Sequence, residues 1–328
     1  MLFPFPRAVV AAAFAPLAAA AAASVSHSRM HAVADQDLHD RAVEMWRTSD
    51  TICGFTNPHQ GSRALSTVQR IQSAEDADDM LIKAQKTEPI TVVVNLHAAL
   101  PANVSDSYVS EEQLQKQFRV LQEEYEPLGI EMKLGNITRN LDNSLTKLEM
   151  TFDDEGALNG STPEIEAFWR KRRTGDYRTL NIFVYEQMAG ALGACNFPDE
   201  DRTEDTFYLD ACHIVSDTLP DSGTMGVWNA GGGAVHEVGH WFGLFHVWGD
   251  SCDDEGDLVA DTPAQRSPSM STPSSPSCER VKDSCPNHEG HDSVHNFMDY
   301  SGDDCVSEFT RGQKTRMHTM FQRIRAKK

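Results

Sequence analysis

The hydrophobic pattern predicts strands in three stretches of the chain. Residues 90–100 form an apolar run rich in β-branched side chains, and residues 180–188 form a second, mainly apolar run. Residues 130–137 alternate between apolar and polar side chains. Continuous apolar runs of this length are typical of buried strands, and alternation is typical of a half-buried strand. We therefore predict a sheet whose strands lie far apart in the sequence.

Apolar residues at helical spacing predict three helices between and after these strands. The first begins at Ser110, which with Gln113 forms the sequence pattern of a capping box. The second begins with Thr162 as its cap and Pro163 at its first position. The third covers residues 309–324, where apolar side chains share one face. This alternation of strands and helices predicts an α/β upper subdomain.

The first residues resemble an export signal. Arg7 precedes an alanine-dominated apolar run at residues 8–23, and small residues stand before Ser24, as a signal peptidase requires. The run is short and is broken by Pro16, so we predict a cleaved signal peptide at residues 1–23. An uncleaved membrane anchor is the alternative.

The polar stretch that follows is predicted to be a pro-segment of residues 24–88. Lys83 and Lys86 are candidate processing sites near its end. The predicted catalytic domain covers residues 89–328, with an upper subdomain at 89–246 and a lower subdomain at 247–328.

Net charge excludes some classes of partner. The chain carries 29 basic and 49 acidic residues, a formal charge of -20. Nucleic acids and anionic membranes would repel such a surface, so neither is expected to bind it. Glycosylation triplets at Asn103, Asn136 and Asn159 agree with export. We expect a monomer outside the cell.

Seven cysteines in an exported chain indicate three disulfides and one odd thiol. Cys195 and Cys212 flank an acidic segment and are expected to pair. Four others follow residue 250 and allow three pairings, among which the residues alone do not choose. They are Cys252, Cys278, Cys285 and Cys305. The remaining thiol is Cys53.

The strongest chemical signal is the stretch HEVGHWFGLFH at residues 236–246. On a helix of about residues 229–244, His236 and His240 lie on one face and can bind one zinc ion. Gly243 can turn the chain so that His246 becomes a third ligand, which leaves a fourth position for water. Glu237 is placed to take a proton from this zinc-bound water. An ordinary buried helix with hydrogen-bonded histidines is the alternative.

This motif, with a later stretch NFMDY at residues 296–300, resembles the metzincin proteases. Flanking segments narrow the resemblance to the pappalysins, also called cytophagalysins; these segments read HVWGDSC, GDLVADTP and SGDDCVSEFTRGQKTRM. The resemblance is strong over residues 231–317 and weaker upstream. It implies an α/β, metzincin-like fold: a twisted mixed sheet over the zinc helix, with a smaller irregular C-terminal subdomain that holds disulfides and a terminal helix.

The resemblance also implies roles for single residues. Met298 would lie beneath the metal, and Tyr300 could stabilise the oxyanion of the tetrahedral intermediate. An acidic residue at Asp304 would favour Arg or Lys just after the cut. The disulfides would interlock, as Cys252 with Cys285 and Cys278 with Cys305.

Cys53 lies upstream of everything catalytic, and its thiolate could occupy the open zinc position until activation. Pro-segments of metzincins often use such a cysteine switch. A free or intermolecularly paired thiol is the alternative.

Two other stretches of the chain contain residues that could bind a metal ion. The acidic stretch at residues 250–261 could bind structural calcium, although a solvated acidic loop explains it equally well. A second zinc near His288, His291 and His295 is not expected, since a disulfide removes Cys285 as a ligand.

The sequence thus predicts a secreted zinc endopeptidase that acts on proteins or peptides and is made as a latent zymogen, with Glu237 as general base. A catalytically silent, zinc-bearing binding module is the alternative from another class, and a zinc hydrolase of other substrates is a further one.

Overall fold

Strands from both halves of the predicted upper subdomain assemble into one central sheet. The computed structural model describes residues 53–55, 62–82, 89–154, 157–201, 203–204, 206–223, 226–271, 278 and 281–327. The strands in these ranges are β1 Ile90–Leu100, β2 Ile130–Leu141, β3 Lys147–Leu148, β4 Thr151–Phe152, β5 Leu158–Gly160, β6 Leu180–Tyr185, β7 Gln187–Met188, β8 Gly193–Cys195 and β9 Cys212–Val215. The predicted signal peptide and most of the predicted pro-segment lie outside the described residues.

The main sheet has five strands in the order β2-β1-β6-β9-β8. The first four run parallel, and β8 runs antiparallel to β9 at one edge. Short pairs are also formed by β3 with β7 and by β4 with β5. The predicted mixed sheet is therefore present, and its antiparallel edge strand lies on the side of the zinc motif.

Helices cover both faces of this sheet. They are α1 Arg63–Ile82, α2 Glu111–Tyr125, α3 Pro163–Arg172, α4 Gly232–Trp241 and α5 Arg311–Met320, which continues as a π-helical turn at Phe321–Arg325. One apolar cluster joins α2 and α4 to the sheet, and a second joins α3 to its other face. In β6, Ile182 and Val184 belong to the first cluster, whereas Phe183 and Tyr185 belong to the second. Burial on both faces explains the continuous apolar run that the sequence shows here.

No helix in the described part of the chain combines the length and the apolar character needed to cross a bilayer.

Several predicted element boundaries are corrected. The run at 180–188 is broken after Tyr185, where the chain leaves the main sheet and β7 pairs with β3. Strand β2 continues four residues beyond 137 alongside β1. Helix α4 is shorter than the predicted 229–244, because glycines frame both of its ends.

The predicted cap of α2 is present in part. The Ser110 hydroxyl accepts the backbone N–H of Gln113, but the Gln113 side chain donates to the carbonyl of Pro220. The reciprocal capping box is found instead at α5, between Thr310 and Gln313. There the Gln313 side chain both caps the helix and bonds to Asn296.

The lower subdomain is largely irregular between residue 242 and α5, as the sequence predicts. Two of its disulfides are Cys252–Cys285 and Cys278–Cys305, and Cys195–Cys212 joins β8 to β9. These are the pairs that the family resemblance implies.

Candidate active site

Helix α4 carries the first part of the zinc motif under the sheet edge. It begins after Gly231, whose φ of 95° is the left-handed conformation that glycine tolerates best. A Cβ on Gly232 would lie 2.5 Å from an Asp303 carboxylate oxygen, so only glycine fits there. The backbone of the helix start is thus held directly against the loop that contains Asp303.

A sharp turn after α4 returns the chain to the metal site. Gly243 has φ 91°, and a Cβ at this position would lie 2.5 Å from Met320 of α5. The turn therefore requires glycine both for its conformation and for space. It brings His246 back to the face of the helix that carries His236 and His240.

The three imidazoles converge on one point. The Nε2 atom of His240 lies 3.1 Å from that of His236 and 3.2 Å from that of His246. Two nitrogens that each lie about 2.05 Å from a tetrahedral zinc ion are expected about 3.3 Å apart. The donor set and its spacing therefore fit a single zinc ion.

Hydrogen bonds fix which imidazole nitrogen faces this point. His236 Nδ1 lies 2.7 Å from the carbonyl oxygen of Phe297, and His240 Nδ1 lies 2.8 Å from that of Leu244. Donation to these carbonyls places the proton on Nδ1 and leaves the Nε2 lone pair for a metal. Burial lowers the pKa of His236 to about 4 and holds the pKa values of His240 and His246 well below their usual range. All three are therefore neutral, as metal ligands must be.

Met298 forms an apolar base under α4. Its side chain has no exposed surface, and a Cβ on Gly239 would lie 2.4 Å from the Met298 sulfur. The N–H of Met298 is held by the Asn296 side chain, and its carbonyl accepts the N–H of Val247. The turn at Met298 therefore packs against α4 at Gly239, between His236 and His240. Its hydrogen bond to Val247 connects it to the segment that follows His246.

Glu237 lies beside the three imidazoles in a space from which solvent is nearly excluded. Only 3% of the residue is exposed, and burial raises the pKa of its carboxyl to about 8. A Cβ on Gly193 of β8 would lie 2.5 Å from the Glu237 side chain. The carboxyl group is therefore enclosed between the helix and the edge strand.

Aromatic rings close the site on the side of the lower subdomain. The Tyr300 ring lies 5.2 Å from the His246 ring and 4.5 Å from the Trp248 ring, between centroids. Trp248 stacks on His246 with centroids 4.2 Å apart and 11° between the planes. This packing fixes the plane of the third imidazole.

The Cys53 sulfur lies close to the point at which the nitrogens of the three histidines converge. This sulfur and one nitrogen of each of the three histidines lie within 4.8 Å of one another. The thiol donates to a Glu237 carboxylate oxygen over 3.4 Å, and the Cys53 N–H donates to the Tyr300 hydroxyl over 3.2 Å. The cysteine, which has no exposed surface, thus contacts the groups on which catalysis would depend.

The residues next to Cys53 fill the cleft. The Gly54 N–H donates to the Gly193 carbonyl over 2.7 Å, and Cys53 pairs with Gly193 in the parallel sense. The Phe55 ring stacks on His240 with centroids 4.3 Å apart. This short segment therefore extends the sheet beyond β8 and covers one metal ligand.

Comparison with known proteins assigns the family. The profile of peptidase family M43, described as pregnancy-associated plasma protein-A, matches residues 174–322. An extracellular metalloprotease of Pyricularia oryzae is 37% identical over 278 residues, which are 84% of this chain and 90% of that protein. The chain belongs to the M43 peptidases.

Other comparisons agree with this M43 assignment. Extracellular metalloprotease 1 of Coccidioides posadasii is also 37% identical, over 84% of this chain and 91% of its own. Mature mirolysin of Tannerella forsythia, solved with a cleaved peptide, is 27% identical with a TM-score of 0.55 and covers 72% of this chain and 93% of its own. The predicted pappalysin relationship, metalloendopeptidase class and extracellular location are thereby confirmed.

A cavity of about 40 Å³ has three acidic residues in its lining, namely Glu237, Asp299 and Asp303. Asp304, to which the sequence assigned the specificity role, is exposed and lies beside the Cys278–Cys305 disulfide. Burial raises the pKa of Asp303 to about 6, while backbone N–H groups at residues 230–232 lower it. The two carboxylates therefore occupy different environments although they are adjacent in sequence.

The remaining predicted sites lie on the surface. Asn103, Asn136 and Asn159 are all exposed. Around the acidic stretch at 250–261, the described residues bring no three metal-binding groups together, so the structure does not support calcium.

The three loop histidines bind separate partners. His288 pairs with Asp253, His291 with Asp283, and His295 with the carbonyl of Cys305. Among the described residues, these three histidines do not form a group that could hold a metal ion.

The sequence did not single out four residues that shape this M43 site: Gly193, Phe55, Trp248 and Asp303. Trp248 lies two positions after the third ligand, and a search for aromatic residues next to the motif could have found it. The other three residues lie far from α4 in the sequence and contact the site only in the folded chain, so no local pattern identifies them. They are Gly193, Phe55 and Asp303.

Proposed function

We propose that this M43 peptidase is a zinc-dependent endopeptidase that is secreted as a latent zymogen. The observation that carries the proposal is the convergence of three neutral imidazoles beside the buried carboxyl group of Glu237, with Cys53 at the remaining side. His236, His240 and His246 would hold the ion. When bound, zinc acts as a Lewis acid that activates water and polarises the scissile carbonyl.

Glu237 would move the protons of the reaction. Its Oε2 atom, which accepts the Cys53 thiol here, would accept a proton from the attacking water once the thiol has left. The carboxyl would then hand this proton to the leaving amine.

The edge strand and Tyr300 would position the substrate. The Gly193 carbonyl accepts an N–H from the pro-segment, and an extended substrate could use the same acceptor in its place. The Tyr300 hydroxyl, which now accepts the N–H of Cys53, would donate to the oxyanion. The pro-segment thus occupies the partners that a substrate would need.

Asp303 would set a preference for Arg or Lys directly after the cut. Asp303 lines the cavity together with Glu237, whereas Asp304 is exposed and lies beside Cys278 and Cys305. With a pKa of about 6, Asp303 is mostly charged above pH 7 and would attract a basic side chain.

The decisive experiment replaces the proton acceptor and keeps its size. Casein cleavage by the processed protein is expected to fall about 10²- to 10⁴-fold in Glu237→Gln, because the amide cannot accept the proton. Metal analysis should find about one zinc in both proteins, and removal of the metal by a chelator should stop the parent. If both proteins bind zinc and neither cuts casein, the chain is a zinc-bearing binding module.

The latency proposal is tested on the unprocessed chain. We expect Cys53→Ala to raise the activity of the uncut protein about tenfold or more, because it frees the fourth position and Glu237. Cys53→Ser is the matched control for volume, and its poorer ligand should give an intermediate result. Unchanged activity in both variants, with cleavage still gained after processing, would assign latency to strand pairing at Gly193 and to Phe55.

A further inference from the structure

The predicted pro-segment contacts the predicted catalytic domain through a helix as well as through residues 53–55. Helix α1 lies within the predicted pro-segment, and its Val68 and Ile71 have no exposed surface. They share one apolar cluster with Phe245, Met320 and Ile324 of the predicted catalytic domain. A helix that only linked Cys53 to the enzyme would not need such burial.

The surface under α1 supports the turn that carries the third metal ligand. Phe245 directly precedes His246, and Met320 packs against Gly243. Tyr177 and Leu258 complete the cluster, and each is at most 8% exposed. Without α1, these apolar side chains would form a solvent-exposed groove, and such grooves mark binding sites.

Charge complements this apolar contact at its rim. Arg63 of α1 lies 3.4 Å from Asp153 and 3.8 Å from Asp199. Arg70 pairs with Glu200, and Gln69 donates to Glu255 over 3.3 Å. The described half of α1 therefore brings basic and amide groups to an acidic rim on the predicted catalytic domain.

We propose that this groove is a docking site for α1 that persists after the chain is cut. A single cut in the link at residues 83–88 then leaves a nicked complex in which α1 stays bound and keeps residues 53–55 in the cleft. Full activity requires dissociation of the pro-segment, and the freed segment can rebind and inhibit. The inhibitory part of this proposal rests on the proposed protease function, whereas the binding part does not.

The test uses the full chain with a site-specific protease sequence in place of residues 83–88. After complete cutting, the pro-segment of the parent should elute together with the catalytic domain in gel filtration at micromolar concentration. Casein activity should stay below about a tenth of the value reached after dilution to nanomolar concentration, since dissociation follows mass action.

Two carboxylate substitutions on α1 separate the groove from the solvent face. Val68→Asp places a charge in the apolar cluster and should weaken retention about 100-fold, so that the segment separates on cutting. Ser73→Asp adds the same group on the exposed face and should behave as the parent. If Val68→Asp does not fold, dilution and added salt applied to the cut parent still measure retention.

Immediate separation of the parent segment after cutting would overturn the proposal. So would equal retention in Val68→Asp and Ser73→Asp. Retention measured by elution without any casein activity after dilution would support the docking site and refute the protease function. Co-elution of a Cys53→Ala segment after cutting would support retention by α1, because this segment has no thiol to bind the metal.

Discussion

At the residue scale, Gly193, which has no side chain, leaves just enough room for the carboxyl group of Glu237, the candidate base. Glu237 lies between the zinc ligands and β8, and Gly193 provides the space that its carboxyl group occupies. The same glycine offers its carbonyl to the strand that fills the cleft. Gly193 therefore both leaves space for the Glu237 carboxyl group and pairs with the extended segment in the cleft.

We predict that Gly193→Ala lowers kcat for casein about 100-fold, because an added Cβ displaces the Glu237 carboxyl group by an ångström or more. Zinc content should be unchanged, since the three histidines lie on α4 and the turn after it. Kinetics and metal analysis on the processed protein check this.

Gly233→Ala is the control for a methyl group added near the same helix. Its Cβ would meet no atom closer than 3.7 Å, and φ is not positive there. Activity close to that of the parent is expected, and an equal loss in both variants would contradict the assigned role of Gly193.

Whether the sequence could predict that these residues meet depends on how far apart they lie in the chain. His236, Glu237 and His240 lie on one helix, so helical geometry alone places them together. Gly193 meets Glu237 only after the sheet has formed, and Cys53 meets it from still further along the sequence. Spacing could therefore predict that these three side chains lie together, but not which residues confine them.

At the scale of elements, α4 has no capping side chain of its own, because its N-cap residue is Gly231. Gly231 cannot cap the helix, and the free N–H groups of residues 230–232 donate to the carboxylate of Asp303. The loop after Met298 thus supplies the cap that most helices carry in their own sequence. This contact joins the cavity to the helix that holds two metal ligands.

We predict that Asp303→Asn lowers the free energy of unfolding by about 1 kcal/mol, since an amide offers one acceptor where the carboxylate offers two. The same change should weaken the preference for Arg or Lys after the cut. Melting curves and a peptide library measure the two effects.

Asp304→Asn is the matched control, because it removes the same charge from the adjacent, exposed residue. It should leave both the melting temperature and the preference unchanged. A loss of preference in Asp304→Asn alone would return the specificity role to Asp304.

Local sequence patterns predicted which helices and strands form better than they predicted where these elements end. The apolar runs gave β1 and β6, and Ser110 and Thr162 marked the starts of α2 and α3. The break after Tyr185 was missed because β7 leaves the main sheet to pair with β3, a partner that no local pattern reveals. Gln113 was assigned to a capping box because its tertiary partner, the Pro220 carbonyl, was unknown.

At the scale of the whole molecule, the two parts of the fold are stabilised differently. The upper part has a sheet buried on both faces, whereas the described residues between 249 and 310 form no helix or strand of three or more residues. The family resemblance implied this irregular region. Its pairing of cysteines came from the family resemblance, since composition cannot choose among three connectivities.

We predict that removal of either disulfide of the lower subdomain destabilises the protein by about 3–4 kcal/mol, because each closes a long loop in the unfolded chain. The sequence separations are 33 residues for Cys252–Cys285 and 27 for Cys278–Cys305, so the two losses should be similar. Serine replacement of both cysteines in each pair, followed by thermal melting, measures them.

Activity should distinguish the two pairs where stability does not. Cys305 follows the loop that holds Asp303 against α4, and its carbonyl accepts from His295. Loss of Cys278–Cys305 should therefore loosen the start of α4 and reduce casein cleavage well below the melting temperature. Loss of Cys252–Cys285, which lies away from that loop, should leave cleavage near the parent value at the same temperature. Equal activity in the two variants would mean that the Asp303 loop is held by its backbone contacts alone.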